Sequence, residues 1–252
     1  MPDRSHERYC DAADAESGAF VELANVLDAS ARVPTCPDWT AADLIRHVGR
    51  VHRWVEAIVR TRSTAYLAPG AVDFQVPTET AGLPAWLAGG RAMLLEALRG
   101  VPGDQPVWAW GSDQYARFWS RRMLHETAIH RGDAEAALGR ATLIASDVAC
   151  DGIDEFLENF PRAVTFRPDI AKLVGNGETI KLAAVGGPSW TITLGPTGFS
   201  WARGGANATA TVTATASDLD LALWGRLKPG DPRLALTGER AVLDHWFAHS
   251  AV

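Results

Sequence analysis

The chain has 252 residues, 47% of them hydrophobic and 21% charged, with a formal net charge of −6. An acidic chain without a basic run argues against nucleic acid as a partner, and no apolar stretch reaches the length of a membrane span. Three scattered cysteines, Cys10, Cys36 and Cys150, form neither a disulfide framework nor a Cys-x-x-Cys metal motif.

The first 145 residues read as helical. Phe20, Leu23, Ala24 and Leu27 set a helical spacing within residues 6–30. The segment VPTCPDWT follows as a Pro-rich loop, with Cys36 lacking any basic neighbour that would activate it. Thr40 and Asp43 form a capping-box signal for a second helix reaching about residue 61. Its apolar stripe runs through Leu44, Val48, Val51, Val55 and Ile58. After loop-like residues 62–82, a third helix is expected over about 83–99 and a fourth over about 113–138. Four such helices suggest a four-helix bundle over residues 1–145.

Residues 146–252 read as a smaller α+β domain with an antiparallel sheet. A helix over 146–160 precedes four short β-branched or aromatic runs, ETIKLAAV, SWTITL, GFSWA and ATATVTA. Gly-Pro-containing turns separate them. SDLDLALWGRL then predicts a helix capped by Ser217, and GERAVLDHWFAH a last one.

Chemistry concentrates in RRMLHETAIHRGDAE, residues 121–135. The His-Glu-x-x-His zincin pattern fails here, because His125 and His130 are five apart and point roughly 140° away from each other on a helix. Glu126 and His130 are four apart and share a face. His47 lies on the stripe of the second helix, and Glu126 and His130 on that of Trp119, Met123 and Ala134. Two readings fit. A divalent metal held by His47, Glu126 and His130 would leave one coordination position open. A buried polar cluster, with Glu126 paired to Arg122, would satisfy the same groups. His52 is five after His47 and points away from it beside Trp54, which suggests a surface or packing role. His245 and His249, four apart on the last helix, lack a third ligand and read as surface histidines. Asp133 falls three after His130, in reach of a hydrogen bond to it or to Arg131.

CPDWTAADLIRHVGRVHRWV, followed by RRMLHETAIHRGDAE, resembles the mycothiol-dependent maleylpyruvate isomerase family. TVTATASDLDLALWGRL and LTGERAVLDHW resemble that family's C-terminal domain. The resemblance spans nearly the whole chain. It implies a DinB-like bundle and a divalent metal, usually zinc, on the positions of His47, Glu126 and His130. It also implies a mycothiol-type thiol as cosubstrate. A thiolate activated by the metal would serve an isomerase or S-transferase acting on a small electrophile. Arg122 and Arg226 are the cationic candidates for an anionic substrate. Against the enzyme stand a non-catalytic metal-binding module and a small-molecule or lipid carrier. The N-terminal segment MPDRSHERYC lacks a signal-peptide core. The expectation is a soluble cytoplasmic protein, a monomer or homodimer, with a small-molecule substrate and a thiol as partners.

Overall fold

The computed structural model describes residues 5–165, 167–205 and 207–250. The chain divides into two compact units, Met1–Thr142 and Leu143–Val252.

Helices α1 (His6–Ala24), α2 (Ala41–Arg60), α3 (Leu83–Arg99) and α4 (Ala116–Ala137) build the first unit. Among the described residues, α1 packs along α4 and α2 along α3, and α2 also meets α4. Their apolar stripes close over Phe20, Leu44, Val48, Leu83 and Leu87, all buried. The capping box forms as its spacing requires: the Asp43 amide donates to Thr40 Oγ1 at 3.3 Å and the Thr40 amide to Asp43 Oδ2 at 3.0 Å. Gly49 lets α2 and α3 come close, because a Cβ there would overlap the ring of Trp86. Arg53 seals this contact, lying 4.2 Å from the Trp86 ring centroid and donating to the Trp86 carbonyl at 2.7 Å.

Three differences from the sequence reading have local causes. The first helix ends at Ala24, before an Asx turn in which Asp28 accepts from the Ser30 amide at 2.9 Å. The Pro-rich loop is a small antiparallel hairpin of β1 (Arg32–Val33) and β2 (Cys36–Thr40). The fourth helix starts at Ala116 because Tyr115 is held extended in an antiparallel bridge to Pro106.

In the second unit, α5 (Ser146–Asn159) precedes a sheet of five strands. These are β3 (Thr179–Ala184), β4 (Ser189–Gly195), β5 (Gly198–Arg203), β6 (Ala210–Ala214) and β7 (Ala235–Gly238), in the order β5-β4-β3-β6-β7. All neighbours are antiparallel except β3 and β6, which run parallel, with the β4–β5 hairpin between them in the chain. Period-2 alternation buries Ile180, Leu182, Trp190, Ile192, Leu194 and Val212 on one face. Trp190 Nε1 donates to Asp154 of α5 at 2.7 Å. Helix α6 (Ala216–Leu223) is capped by Thr215 and not by Ser217. Ser217 is buried inside the first turn and accepts from the Ile144 amide at 3.0 Å. Helix α7 (Arg240–Ser250) closes the unit. No described helix is long and apolar enough to cross a membrane.

Candidate metal centre

Helix α2 brings His47, and α4 brings Glu126 and His130, to one spot. Their candidate ligand atoms all lie within 4.8 Å of one another, and no other such group of three or more exists among the described residues. Glu126 Oε1 stands 3.1 Å from His47 Nε2 and 3.2 Å from His130 Nε2. Donors on a tetrahedral ion with bonds of about 2.0–2.1 Å stand roughly 3.3 Å apart, so these two spacings suit such an ion. The side chains are 36%, 18% and 9% exposed for His47, Glu126 and His130. The cluster therefore lies at the rim of the unit, open on the His47 side.

The second layer is as well defined. Arg122, one turn before Glu126, donates to Oε2 at 2.8 Å. That leaves Oε1 for the imidazoles. Asp133, fully buried, faces His130 Nδ1 through Oδ2 at 2.8 Å. Asp133 Oδ1 accepts from Thr35 Oγ1 at 2.6 Å, and Cys36 Sγ lies 3.7 Å from Oδ2. Trp39 covers the imidazoles, its ring centroid 4.9 Å from that of His47 and 6.1 Å from that of His130.

Charge follows geometry. Burial would raise the Glu126 carboxyl, but hydrogen bonds from His130 and His47, with the Arg122 charge, hold it well below its usual range. Burial would lower His130, yet its contacts with Asp133 and Glu126 raise it. With a carboxylate at each ring nitrogen, His130 needs a second proton or a cation beside Nε2. A metal ion meets that need, and the donor set of two imidazoles and a carboxylate fits one.

The other histidines differ. His52 is fully buried, with Nε2 3.3 Å from Thr127 Oγ1 and Nδ1 without a partner among the described residues. Burial pushes it down to about 4. The packing role expected for it is correct and the surface alternative is not. His125 is buried but outside the cluster. His245 and His249 are half-buried with ring centroids 5.1 Å apart, and no third ligand joins them. Arg226, in the second unit, donates through Nη1 to its neighbour's carbonyl, Trp224 O, at 2.6 Å. Burial pushes the Cys10 thiol up to about 11 and raises that of Cys150, which makes both inert. Thr35 and Trp39 escaped the sequence reading, and Cys36 was read only as an unactivated loop thiol, because only the hairpin carries them to this site.

A helical bundle with a His/Glu/His cluster at its rim, followed by a small α+β unit, defines a two-part protein. Residues 10–135 match the family model of the mycothiol maleylpyruvate isomerase N-terminal domain, and residues 147–245 that of the C-terminal domain. The chain belongs to the mycothiol-dependent maleylpyruvate isomerase family. Among solved structures it is similar to the mycothiol-dependent maleylpyruvate isomerase, with 16% identity, a TM-score of 0.67 and coverage of 94% of this chain and 95% of that one. A histidine-to-alanine variant of that enzyme gives 15% identity, a TM-score of 0.66 and the same coverage. At such identity the likeness is one of fold. No curated protein gives a significant match.

Proposed function

We propose that the chain is a metal- and thiol-dependent isomerase. It would bind a divalent ion, zinc first among candidates, on His47, Glu126 and His130, and use a mycothiol-type thiol on a small electrophilic substrate. The observation that carries this reading is the convergence of His47 Nε2 and His130 Nε2 on Glu126 Oε1. The family's name supplies the thiol and the reaction class. When bound, the ion supplies a Lewis acid that keeps a thiol deprotonated at neutral pH, ready to add reversibly to an electron-poor double bond.

The chain's own residues set the conditions. Arg122 fixes Glu126 through Oε2 and offsets its charge. Asp133 keeps a proton on His130 Nδ1 and so turns the Nε2 lone pair toward the cluster. Trp39 shields the imidazoles from water on one side, while the more exposed His47 side admits ligands. Cys10 and Cys150 are buried outside the cluster, and Cys36 faces the Asp133 carboxylate, which disfavours a thiolate there, so an external thiol is the nucleophile of this reading. Arg226 is proposed as the cation that pairs with a substrate carboxylate, by bidentate geometry.

Elemental analysis of purified wild type beside His130→Ala tests the reading. About one divalent ion per wild-type chain, lost in the variant, is expected, along with thiol-dependent turnover of a cis-unsaturated oxo acid by wild type alone. A wild-type chain that stays metal-free after incubation with Zn2+ would overturn it.

A further inference from the structure

We infer that Asp133, held in place by Thr35, is a positioning residue of the metal centre, and that ion binding is thereby coupled to the seating of the β1–β2 hairpin. The inference rests on the metal reading above and adds a mechanical link that the ligand set alone does not contain.

Asp133 touches no candidate ligand atom. Its Oδ2 faces the opposite nitrogen of His130, Nδ1, at 2.8 Å. A carboxylate at that position requires an N–H there, which leaves Nε2 as the lone-pair nitrogen. The carboxylate is wholly buried, so its orientation depends on protein donors. Thr35 Oγ1 donates to Oδ1 at 2.6 Å, across 98 residues of sequence. The next residue, Cys36, brings its thiol to 3.7 Å from Oδ2. Three residues further on, Trp39 packs over the His47 and His130 rings. One hairpin thus grips the carboxylate that orients a ligand and covers both imidazoles. Its backbone continues into α2, which carries His47. Displacing the hairpin would release Asp133 and uncover the rings together. By linkage, an ion that needs the oriented His130 must favour the seated hairpin.

The experiment compares wild type with Asp133→Asn, Thr35→Val and Thr35→Ser. Zn2+ affinity is read by competition with a chromophoric chelator, and hydrogen exchange of residues 32–40 is read with and without Zn2+. Asp133→Asn keeps an acceptor but removes the charge, and should weaken Zn2+ binding by about 10–100-fold. Thr35→Val, two contacts from His130, should weaken it by roughly three- to tenfold, and Thr35→Ser should restore wild-type affinity. Zn2+ should slow exchange in the wild-type hairpin and do so less in Thr35→Val at saturation. If Asp133→Asn fails to fold, the Thr35 pair and the exchange data decide the matter. Wild-type affinity and wild-type exchange in Thr35→Val would overturn the coupling while leaving the metal reading intact. Absence of Zn2+ binding by wild type would remove both.

Discussion

His130 lies between two carboxylates, and this sets how the centre responds to pH. Its contacts raise its affinity for protons against the effect of burial, so as pH falls an incoming ion must increasingly displace a proton from Nε2. Calorimetric titration with Zn2+ in two buffers of different ionisation enthalpy should show proton release, and affinity should fall as pH drops below 7. His52 works in the opposite direction. Burial depresses it to about 4, so below its unfolded value of about 6.5 the unfolded chain binds a proton that the folded one refuses. Stability contributed by neutral His52 is complete above about 6.5 and is lost as pH falls toward 4, at about 1.4 kcal/mol per unit. Denaturant midpoints of metal-free wild type and His52→Leu between pH 7.5 and 4.5 should show the steeper decline in wild type. Arg122→Leu should leave Glu126 Oε2 without its cation, costing about 3–5 kcal/mol of stability for the partly buried carboxylate. Thermal unfolding measures that loss, and added Zn2+ should recover part of it.

Elements explain which of these residues the sequence revealed. The 3.6-residue period places Glu126 beside His130 and keeps His125 apart, so the ligand pair on α4 could be read from spacing alone. Asp133 is also one turn from His130, and its contact was within reach of the same reasoning. Thr35 and Trp39 were not, since a hairpin of two short strands with a shifted register leaves no periodic signal. Strand β7 escaped for a related reason: it is a four-residue edge strand whose side chains are mostly exposed, so no alternation marks it. Ser217 misled because Thr215, two residues earlier, competes for the same capping task and Ser217 was needed inside. At Gly49 the element scale gives its own prediction. Gly49→Ala would drive a methyl group into Trp86, at a cost of about 1–3 kcal/mol from overpacking. Guanidinium unfolding should show that loss.

At the scale of the whole molecule, the two units carry different kinds of stabilisation. Met1–Thr142 holds the His47/Glu126/His130 cluster, whereas Leu143–Val252 rests on the sheet and the Asp154 link among α5, Trp190 and Arg203. We expect differential scanning calorimetry to resolve a transition that Zn2+ shifts upward and a chelator shifts down, and another indifferent to both. Free ion at about 100 times Kd should add about 2.7 kcal/mol to the first. The sequence reading sets a change of pattern near residue 145, but α5 still follows it and alternation begins only with β3. The parallel pairing of β3 with β6 was not legible, because pairing partners are chosen by tertiary packing rather than by any feature of either strand.

The indole of Trp39, tilted against His47 and stacked on His130, makes the centre self-reporting. An imidazolium drains the excited state of a neighbouring indole more strongly than a neutral ring does, so light emitted at this position records whether the histidines hold protons. The chain has ten tryptophans, and subtracting the emission of Trp39→Phe isolates the one that watches the site. Its brightness during an acid titration or a metal titration becomes an optical account of the same two imidazoles, with no dye attached.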